Sequence, residues 1–396
     1  MSRLTFLLMG SALGWAIGTS PDAETPRAIA KASYGALKTV AAPQDEIRNV
    51  MDLLAAVREL PPIVCGLTAE AASGWGGRGW YDAPSTPLGS ETAIRVASFP
   101  RGALRLSQIS LLIDSLSSPS ACVRELAVRL VGRVDAVIVE ERLVQLLNRG
   151  DSLTREAAAL GLGLVQSKAA LNPLMRTARD ADNGVRGNSI WALGRIGDRR
   201  AAATVRAALT DDESEVRVAA AGAVGHLDDA DAVDDLLRVL RTDSEPRVRR
   251  AAAWALGQIR RREAVDGLVG VLRTERDEDT REMVVWALGT LDASSAAAAL
   301  TDVLRRDSNA EVREMAAWAL GQIEAADAVA ALGEAAASDA EDRVRATAAW
   351  AVGQIEPAEA PAGLIRAVSD ARENVRTAAA WAISEIGDAR AVAPLR

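Results

Sequence analysis

Apolar and polar positions repeat along the last three quarters of the chain with a period of 31 or 32 residues. Each period holds two amphipathic stretches joined by a short polar loop, such as residues 215–227 and 232–240. In the first stretch the apolar residues recur at helical spacing and fall on one side of a helix. The pattern predicts two α-helices per unit. A unit this short cannot bury its apolar stripe alone, so we expect a stacked solenoid.

A tryptophan motif, W-A-[LVI]-[GS]-x-I, marks the same place in six units, with Leu291 in place of the isoleucine after Trp286, and we number the place of the tryptophan position 0. Three further units carry Arg129, Leu160 and Gly222 there, which gives nine units from about residue 110 onward. The six tryptophans are Trp191, Trp254, Trp286, Trp318, Trp350 and Trp381. The array accounts for residues 110–396 in our division of the chain.

Charged residues also recur at fixed places. An acid stands at position −11 in seven consecutive units: Asp180, Asp211, Asp243, Glu275, Asp307, Asp339 and Asp370. An arginine stands at −5 in all nine: Arg124, Arg155, Arg186, Arg217, Arg249, Arg281, Arg313, Arg345 and Arg376. Leucine occupies +14 in eight of nine units, and Val205 is the exception. Because the arginine fork suits carboxylates, we expect a ladder of ion pairs that joins successive loops.

With an acid six residues before the arginine in seven units and A-x-A-L-G-x-I at this period, the chain resembles HEAT-like repeats of the short, phycobilisome-lyase type. The resemblance covers about three quarters of the chain. It implies an all-α fold, a right-handed α-solenoid of about nine two-helix repeats. It also implies that the first helices line a concave surface whose variable positions contact ligands. It predicts function poorly, because most members are binding scaffolds with unrelated partners.

Helix geometry places position 0 opposite the buried stripe. We therefore predict that the tryptophans line the concave surface and bind a protein or peptide of unknown identity, since Trp and Arg often anchor interfaces. The predicted partner-binding residues are the six tryptophans with Arg250, Gln258, Glu282, Glu314, Gln322 and Gln354. The series is flanked also by Arg195, Thr290 and Glu385. An alternative stays open, in which each ring lies flat over the +3 glycine of its own or a neighbouring helix and stiffens the stack.

Candidate chemistry is sparse. His226 is the only histidine, and we expect it to be a solvated side chain without a catalytic role. We predict no catalytic residue, metal site or cofactor, and hence a non-enzymatic interaction scaffold. The alternative is a HEAT-like-repeat enzyme or enzyme subunit, resembling a DNA glycosylase or a chromophore lyase. A net charge of −8 argues against a nucleic-acid partner.

The first residues are typical of an export signal. Arg3 precedes 14 uncharged residues, and small residues stand just before Thr19, which predicts a signal peptide over 1–18. We therefore expect a bacterial protein of the periplasm or the extracellular space, with no other membrane association. An uncleaved anchor, or a cytoplasmic protein, is the alternative.

Between the signal and the array we assign residues 19–44 to a linker and 45–109 to a degenerate N-terminal cap unit. The cap unit contains a Gly-, Pro- and Trp-rich loop at 74–102. In an exported protein Cys65 and Cys122 could form a disulfide, although two separate thiols remain equally plausible. The chain ends at Arg396 within the second helix of unit nine. That end carries no polar cap, so we expect it to fray, bind a partner or self-associate.

Overall fold

The computed structural model describes residue 104 and residues 106–388. The predicted signal peptide, the linker, most of the cap unit with its 74–102 loop, and the C-terminal end lie outside the described residues. Within them the chain forms eighteen α-helices, seven short 3-10 helices and no β-strand. The all-α prediction is confirmed.

The first helix of each unit has an even number. These helices are α2 (Ala121–Val131), α4 (Ser152–Leu164), α6 (Asn183–Ile196), α8 (Ser214–Leu227), α10 (Pro246–Ile259), α12 (Glu278–Thr290), α14 (Ala310–Gln322), α16 (Asp342–Ile355) and α18 (Glu373–Ile386). The others are α1 (Leu106–Ser115), α3 (Ala136–Arg149), α5 (Leu171–Thr177), α7 (Ala202–Ala207), α9 (Val233–Thr242), α11 (Val265–Leu272), α13 (Ala297–Arg306), α15 (Val329–Ser338) and α17 (Ala362–Ala367).

The helices form two layers. Each even-numbered helix packs on the even-numbered helices before and after it, and each odd-numbered helix packs on the even-numbered helix that follows. The even-numbered helices contact one another more extensively than the odd-numbered ones do. Because the layer with the closer spacing follows the shorter path, the even-numbered helices form the inner layer of a curved array. Helix pairs therefore stack in series, as the period predicts.

The core lies between the two layers. The predicted stripe at −6 and +2 is buried in every unit, for example at Val248 and Leu256 of α10, which are 0% and 1% exposed. The outer layer contributes position +14, where the leucines from Leu143 to Leu364 and Val205 are all fully buried. Burial of this apolar area is the main force that holds neighbouring units together.

The ends of the inner helices have a recurrent geometry. In α4, α6 and α12 an aspartate (Asp151, Asp182 or Asp277) accepts a hydrogen bond from the backbone N–H three residues later and caps the first turn, and Asn309 caps α14. From the second unit on, the chain leaves the helix through a residue with positive φ at position +6. This residue is Gly197 in unit three and Gly387 in unit nine, but in six units it is not glycine, with φ of 49–52°. Stacking imposes the turn even where the residue disfavours it.

The predicted arginine ladder is confirmed as seven bidentate ion pairs between neighbouring units. In each, Nε and Nη2 of the arginine at −5 donate to the −11 carboxylate of the following unit at 2.7–3.1 Å. The first pair joins Arg155 to Asp180 and the last joins Arg345 to Asp370. Nη1 donates to a carbonyl in the arginine's own loop, as from Arg186 to Asp180 at 3.0 Å. Each carboxylate also accepts a turn N–H, so every rung fixes the relative position of two loops.

Cys122 is fully buried in α2 and is disulfide-bonded. The other cysteine of the sequence, Cys65, lies outside the described residues. None of the described helices is long and apolar enough to span a membrane.

Candidate functional site on the inner face

The tryptophan rings rest on the glycines of the preceding unit. A Cβ added to Gly257 of α10 would lie 2.5 Å from Cζ3 of Trp286 on α12, and one added to Gly225 would lie 2.8 Å from Cζ3 of Trp254. The same arrangement recurs at four other places. The remaining pairs are Gly163 with Trp191, Gly289 with Trp318, Gly321 with Trp350 and Gly353 with Trp381. Glycine is needed at +3 because the ring of the next unit occupies the space of a side chain.

This packing settles which of the two glycines each ring covers, the one in its own helix or the one in a neighbour. The packing leaves five of the six tryptophans partly exposed. These half-buried residues are Trp254, Trp286, Trp318, Trp350 and Trp381. Each of these five rings therefore has one packed side and keeps part of its surface accessible on the inner face.

Trp191 departs from the prediction that all six rings are exposed, since only 2% of it is accessible. The guanidinium of Arg195, one turn later on α6, lies 5.7 Å from its ring centroid. A cation over the face of an aromatic ring is attracted to its quadrupole. Trp191 is therefore a core residue, and the expectation of a surface role for it is wrong.

His226 is not the solvated side chain that the sequence predicts. It is half-buried on α8, and its ring meets Trp254 edge-on with centroids 5.6 Å apart. Burial lowers the pKa of the imidazole to about 4, and the positive charge of Arg195 acts in the same direction. His226 is therefore a neutral packing residue at neutral pH.

Ion pairs cross the inner face between consecutive helices. Arg250 of α10 donates to Asp279 of α12 at 2.8 Å. Farther along, Arg343 of α16 pairs with Glu311 at 2.9 Å and with Glu314 at 3.6 Å, both on α14. These pairs link unit five to unit six and unit seven to unit eight along the row of tryptophans.

One carboxylate in this region forms none of these ion pairs, although the charge of Arg250 acts on it. Glu282 of α12 is half-buried. Burial, together with the nearby negative charges of Asp279, Glu311 and Glu314, raises the pKa of its carboxyl to about 7, although the positive charge of Arg250 acts in the opposite direction. Burial also raises the pKa of Glu314. The middle of the inner face thus holds more negative than positive charge, in a half-buried setting where charge interactions are stronger than in water.

The remaining predicted residues are glutamines at position +4. Gln258 and Gln322 are exposed at position +4, one turn after their tryptophans, and Gln354 is half-buried at the same position. The flanking Thr290 instead donates its hydroxyl proton to the carbonyl of Ala287 in its own helix, at 2.8 Å.

Sequence reasoning missed the charged residues at position −7, namely Glu215, Arg247, Asp279, Glu311 and Arg343. Seven residues are nearly two helical turns, so −7 lies on the same side of the helix as position 0. The pairs Arg247–Glu215 and Arg343–Glu311 both join −7 positions of adjacent units. Extending the helical projection by one more turn would have found them.

Among the described residues, no three His, Cys, Asp or Glu side chains are grouped as a metal site would require.

The family model for HEAT repeats matches the chain over residues 109–184, 140–217, 205–288, 265–353 and 329–396. The chain therefore belongs to the HEAT-repeat family, as its repeat pattern predicts. No curated protein sequence matches it.

Solved structures share the architecture at low identity. Importin beta, crystallised in an ammonium sulfate condition, is 16% identical with a TM-score of 0.55, over 93% of this chain and 54% of the importin chain. Escherichia coli YibA is 18% identical with a TM-score of 0.49, over 66% of this chain and 96% of YibA. The CpcE–CpcF complex of phycocyanin lyase from Nostoc sp. PCC7120 is 21% identical with a TM-score of 0.37, over 62% of this chain and 94% of the matched chain. At such identities the likeness to importin beta shows the fold alone.

Proposed function

We propose that this protein is a non-enzymatic scaffold that binds a protein or peptide partner along the inner face of units five to nine. HEAT-repeat proteins generally bind protein partners. The observation that carries the proposal is the unbroken row of five half-buried tryptophans from Trp254 to Trp381. Inner helices pack about 8–10 Å apart, so five units offer a track of roughly 40 Å. An extended segment or a helix of a partner matches that length.

The charges of the track favour a partner with a basic residue. Glu282 and Glu314 are half-buried carboxylates with raised pKa, and a cation placed beside them would favour their ionised form. Nucleic acid is disfavoured, because its binding depends on many clustered positive charges and the chain carries a net charge of −8.

Charge added beside the rings tests the proposal better than removal of the rings. Truncating a well-packed tryptophan costs about 3–5 kcal/mol, so lost binding would be confounded with unfolding. Gln258→Arg with Gln322→Arg instead changes two exposed side chains next to Trp254 and Trp318. The added cations would repel a basic partner and obstruct any partner.

The matched control is Gln145→Arg with Asn172→Arg, two exposed positions on the outer helices α3 and α5. Each variant and the parent would be immobilised and exposed to the native envelope fraction, and affinities would then be measured with the purified captured protein. We expect the parent and the control to bind that protein equally and the inner-face variant to lose it. Equal binding by all three proteins would refute an inner-face site.

We also propose export, on the strength of the uncharged segment that follows Arg3. N-terminal sequencing of the protein from its native cells should begin at or near Thr19. Recovery from the cytosol with residues 1–18 intact would contradict export without bearing on the binding site.

A further inference from the structure

Units six and seven present the same set of side chains on the inner face, and no other unit carries it. Each has an acid at −7, a glutamate at −4, a methionine at −3 and a tryptophan at 0. The two sets are Asp279, Glu282, Met283 and Trp286 on α12, and Glu311, Glu314, Met315 and Trp318 on α14. Neighbouring positions in a set are three or four residues apart or adjacent, so each set forms one stripe along its helix.

The apolar part of each set is partly accessible. Met283 and Trp286 are half-buried, and so are Met315 and Trp318. Methionine is flexible and polarisable and is common at surfaces that bind other proteins, and tryptophan offers a wide flat face to a cation or to a proline ring. Each set therefore combines an apolar surface with a carboxylate beside it.

The two glutamates at −4 lack a cation of their own. Arg250 and Arg343 pair with the acids at −7, at 2.8 and 2.9 Å. Glu282 forms no hydrogen bond or ion pair with a described residue, although the charge of Arg250 acts on it. Glu314 lies 3.6 Å from Arg343 and accepts a hydrogen bond from Thr347 at 3.4 Å. Because no lysine, arginine or histidine stands at −7, −4, −3, 0 or +4 of either unit, a cation from a ligand would complement both sets.

The spacing of the two sets selects the backbone conformation of the ligand. Adjacent inner helices pack about 8–10 Å apart, so equivalent side chains of units six and seven are separated by roughly that distance. A polyproline II segment has three residues per turn and rises about 3.1 Å per residue, so every third side chain returns to the same face after about 9.3 Å. A β-strand returns to the same face after about 6.6–6.8 Å. An α-helix returns after seven residues, about 10.5 Å. The polyproline II repeat fits the spacing best.

We propose that units six and seven bind a polyproline II segment of the partner that carries two basic residues three positions apart. Each basic side chain lies along the methionine and tryptophan of one set, and its cation meets the carboxylate of Glu282 or Glu314. Prolines around the two basic positions hold the segment in this conformation and reduce the entropy that is lost on binding. The inference rests on the proposed binding at the inner face and specifies the chemistry of the partner.

Two synthetic peptides of equal length and composition test the spacing. Pro-Pro-Arg-Pro-Pro-Arg-Pro-Pro has its arginines three positions apart. Pro-Pro-Arg-Pro-Pro-Pro-Arg-Pro has them four apart, which turns the second arginine about 120° away from the first. Each peptide would carry a fluorescein label, and fluorescence polarisation with the full-length chain would give its affinity. We expect the first peptide to bind about tenfold more tightly, because only its two arginines reach both sets at once. Equal affinity of the two peptides, or binding of neither, overturns the proposal.

A pair of charge variants tests the carboxylates. Glu282→Gln with Glu314→Gln keeps the shape of both side chains and removes only their charges. The matched control, Asp266→Asn with Glu334→Gln, removes two exposed carboxylates on the outer helices α11 and α15. We expect the inner-face variant to bind the first peptide about tenfold more weakly than the parent, and the control to bind it as the parent does. An equal loss in both variants would assign the binding to net charge and contradict the proposal.

The capture experiment with the native partner separates this inference from the proposed function. Suppose that the Gln258→Arg, Gln322→Arg variant loses the captured protein while the two peptides bind the parent equally. That result would leave the inner-face site in place and overturn only the inferred spacing. Equal capture by the parent, that variant and its control would instead refute the inner-face function and the inference that rests on it.

Discussion

Replacing Gly257 by alanine tests whether the tryptophan rings hold neighbouring units together. The new Cβ would lie 2.5 Å from Cζ3 and 3.1 Å from Cε3 of Trp286, and 3.1 Å from the Cα of Ala287. Non-bonded carbon atoms are in optimal contact at about 3.5–4.0 Å, so either the ring or the helix must move. The matched control is Gly270→Ala on α11, an exposed helical glycine with no atom within 4 Å of the added Cβ.

Two terms of opposite sign set the expected size of the effect. Alanine in place of a mid-helix glycine favours the helix by about 0.8–1.0 kcal/mol in both variants. Overpacking a well-packed contact costs about 1–3 kcal/mol, and only Gly257→Ala carries this cost. We therefore expect Gly270→Ala to stabilise the chain and Gly257→Ala to be less stable than that control by about 1–3 kcal/mol.

Urea unfolding followed by circular dichroism measures this difference. Repeating both substitutions in a Trp286→Ala background completes the cycle, because removal of the ring should turn Gly257→Ala into a stabilising change. If Gly257→Ala is as stable as Gly270→Ala in the parent, the ring swings out at no cost and the rings are not structural. A destabilisation that persists without the ring would instead assign the clash to the helix backbone.

Three further outcomes follow from the charged groups. Arg281→Ala should destabilise the chain by about 1.5–3 kcal/mol, because it leaves the buried carboxylate of Asp307 unpaired. The exposed Arg199→Ala should cost under about 1 kcal/mol in the same urea experiment, and equal costs would contradict a structural ladder. The pKa of Glu282 is raised when folded, so ionisation opposes folding as pH rises toward and through about 7. Glu282→Gln should therefore be more stable than the parent at pH 8 and equal to it below pH 4.5, the ordinary pKa of the group, and a difference independent of pH would exclude this cause. The imidazole of His226, with its pKa lowered to about 4, should show no titration above pH 5 by NMR, and a midpoint near 6.5 would show that it is solvated.

The period and the apolar stripe were enough to predict the layers, because both depend only on helix geometry and on the need to bury one side of each helix. The ladder could be predicted for a similar reason, since arginine and acid recur at fixed offsets. The sequence of one unit does not show how the next unit packs against it. Whether Trp286 covers Gly257 or its own Gly289 depends on the stacking offset, which no helical projection contains. The burial of Trp191 depends on residues from outside its own helix and is equally invisible in the motif.

The arginine ladder also bears on how such a chain can change its length. Every rung, such as Arg249 with Glu275, joins position −5 of one unit to position −11 of the following one. A duplicated unit inserted at any of the seven joints that carry a rung would place its −11 acid beside the −5 arginine of the preceding unit, and its −5 arginine beside the −11 acid of the following unit. Loss of a whole unit would leave its two former neighbours able to pair with each other in the same way. Genetic expansion or contraction by whole repeats is therefore electrostatically neutral in this array, and selection can adjust the length of the inner track without redesigning the joints.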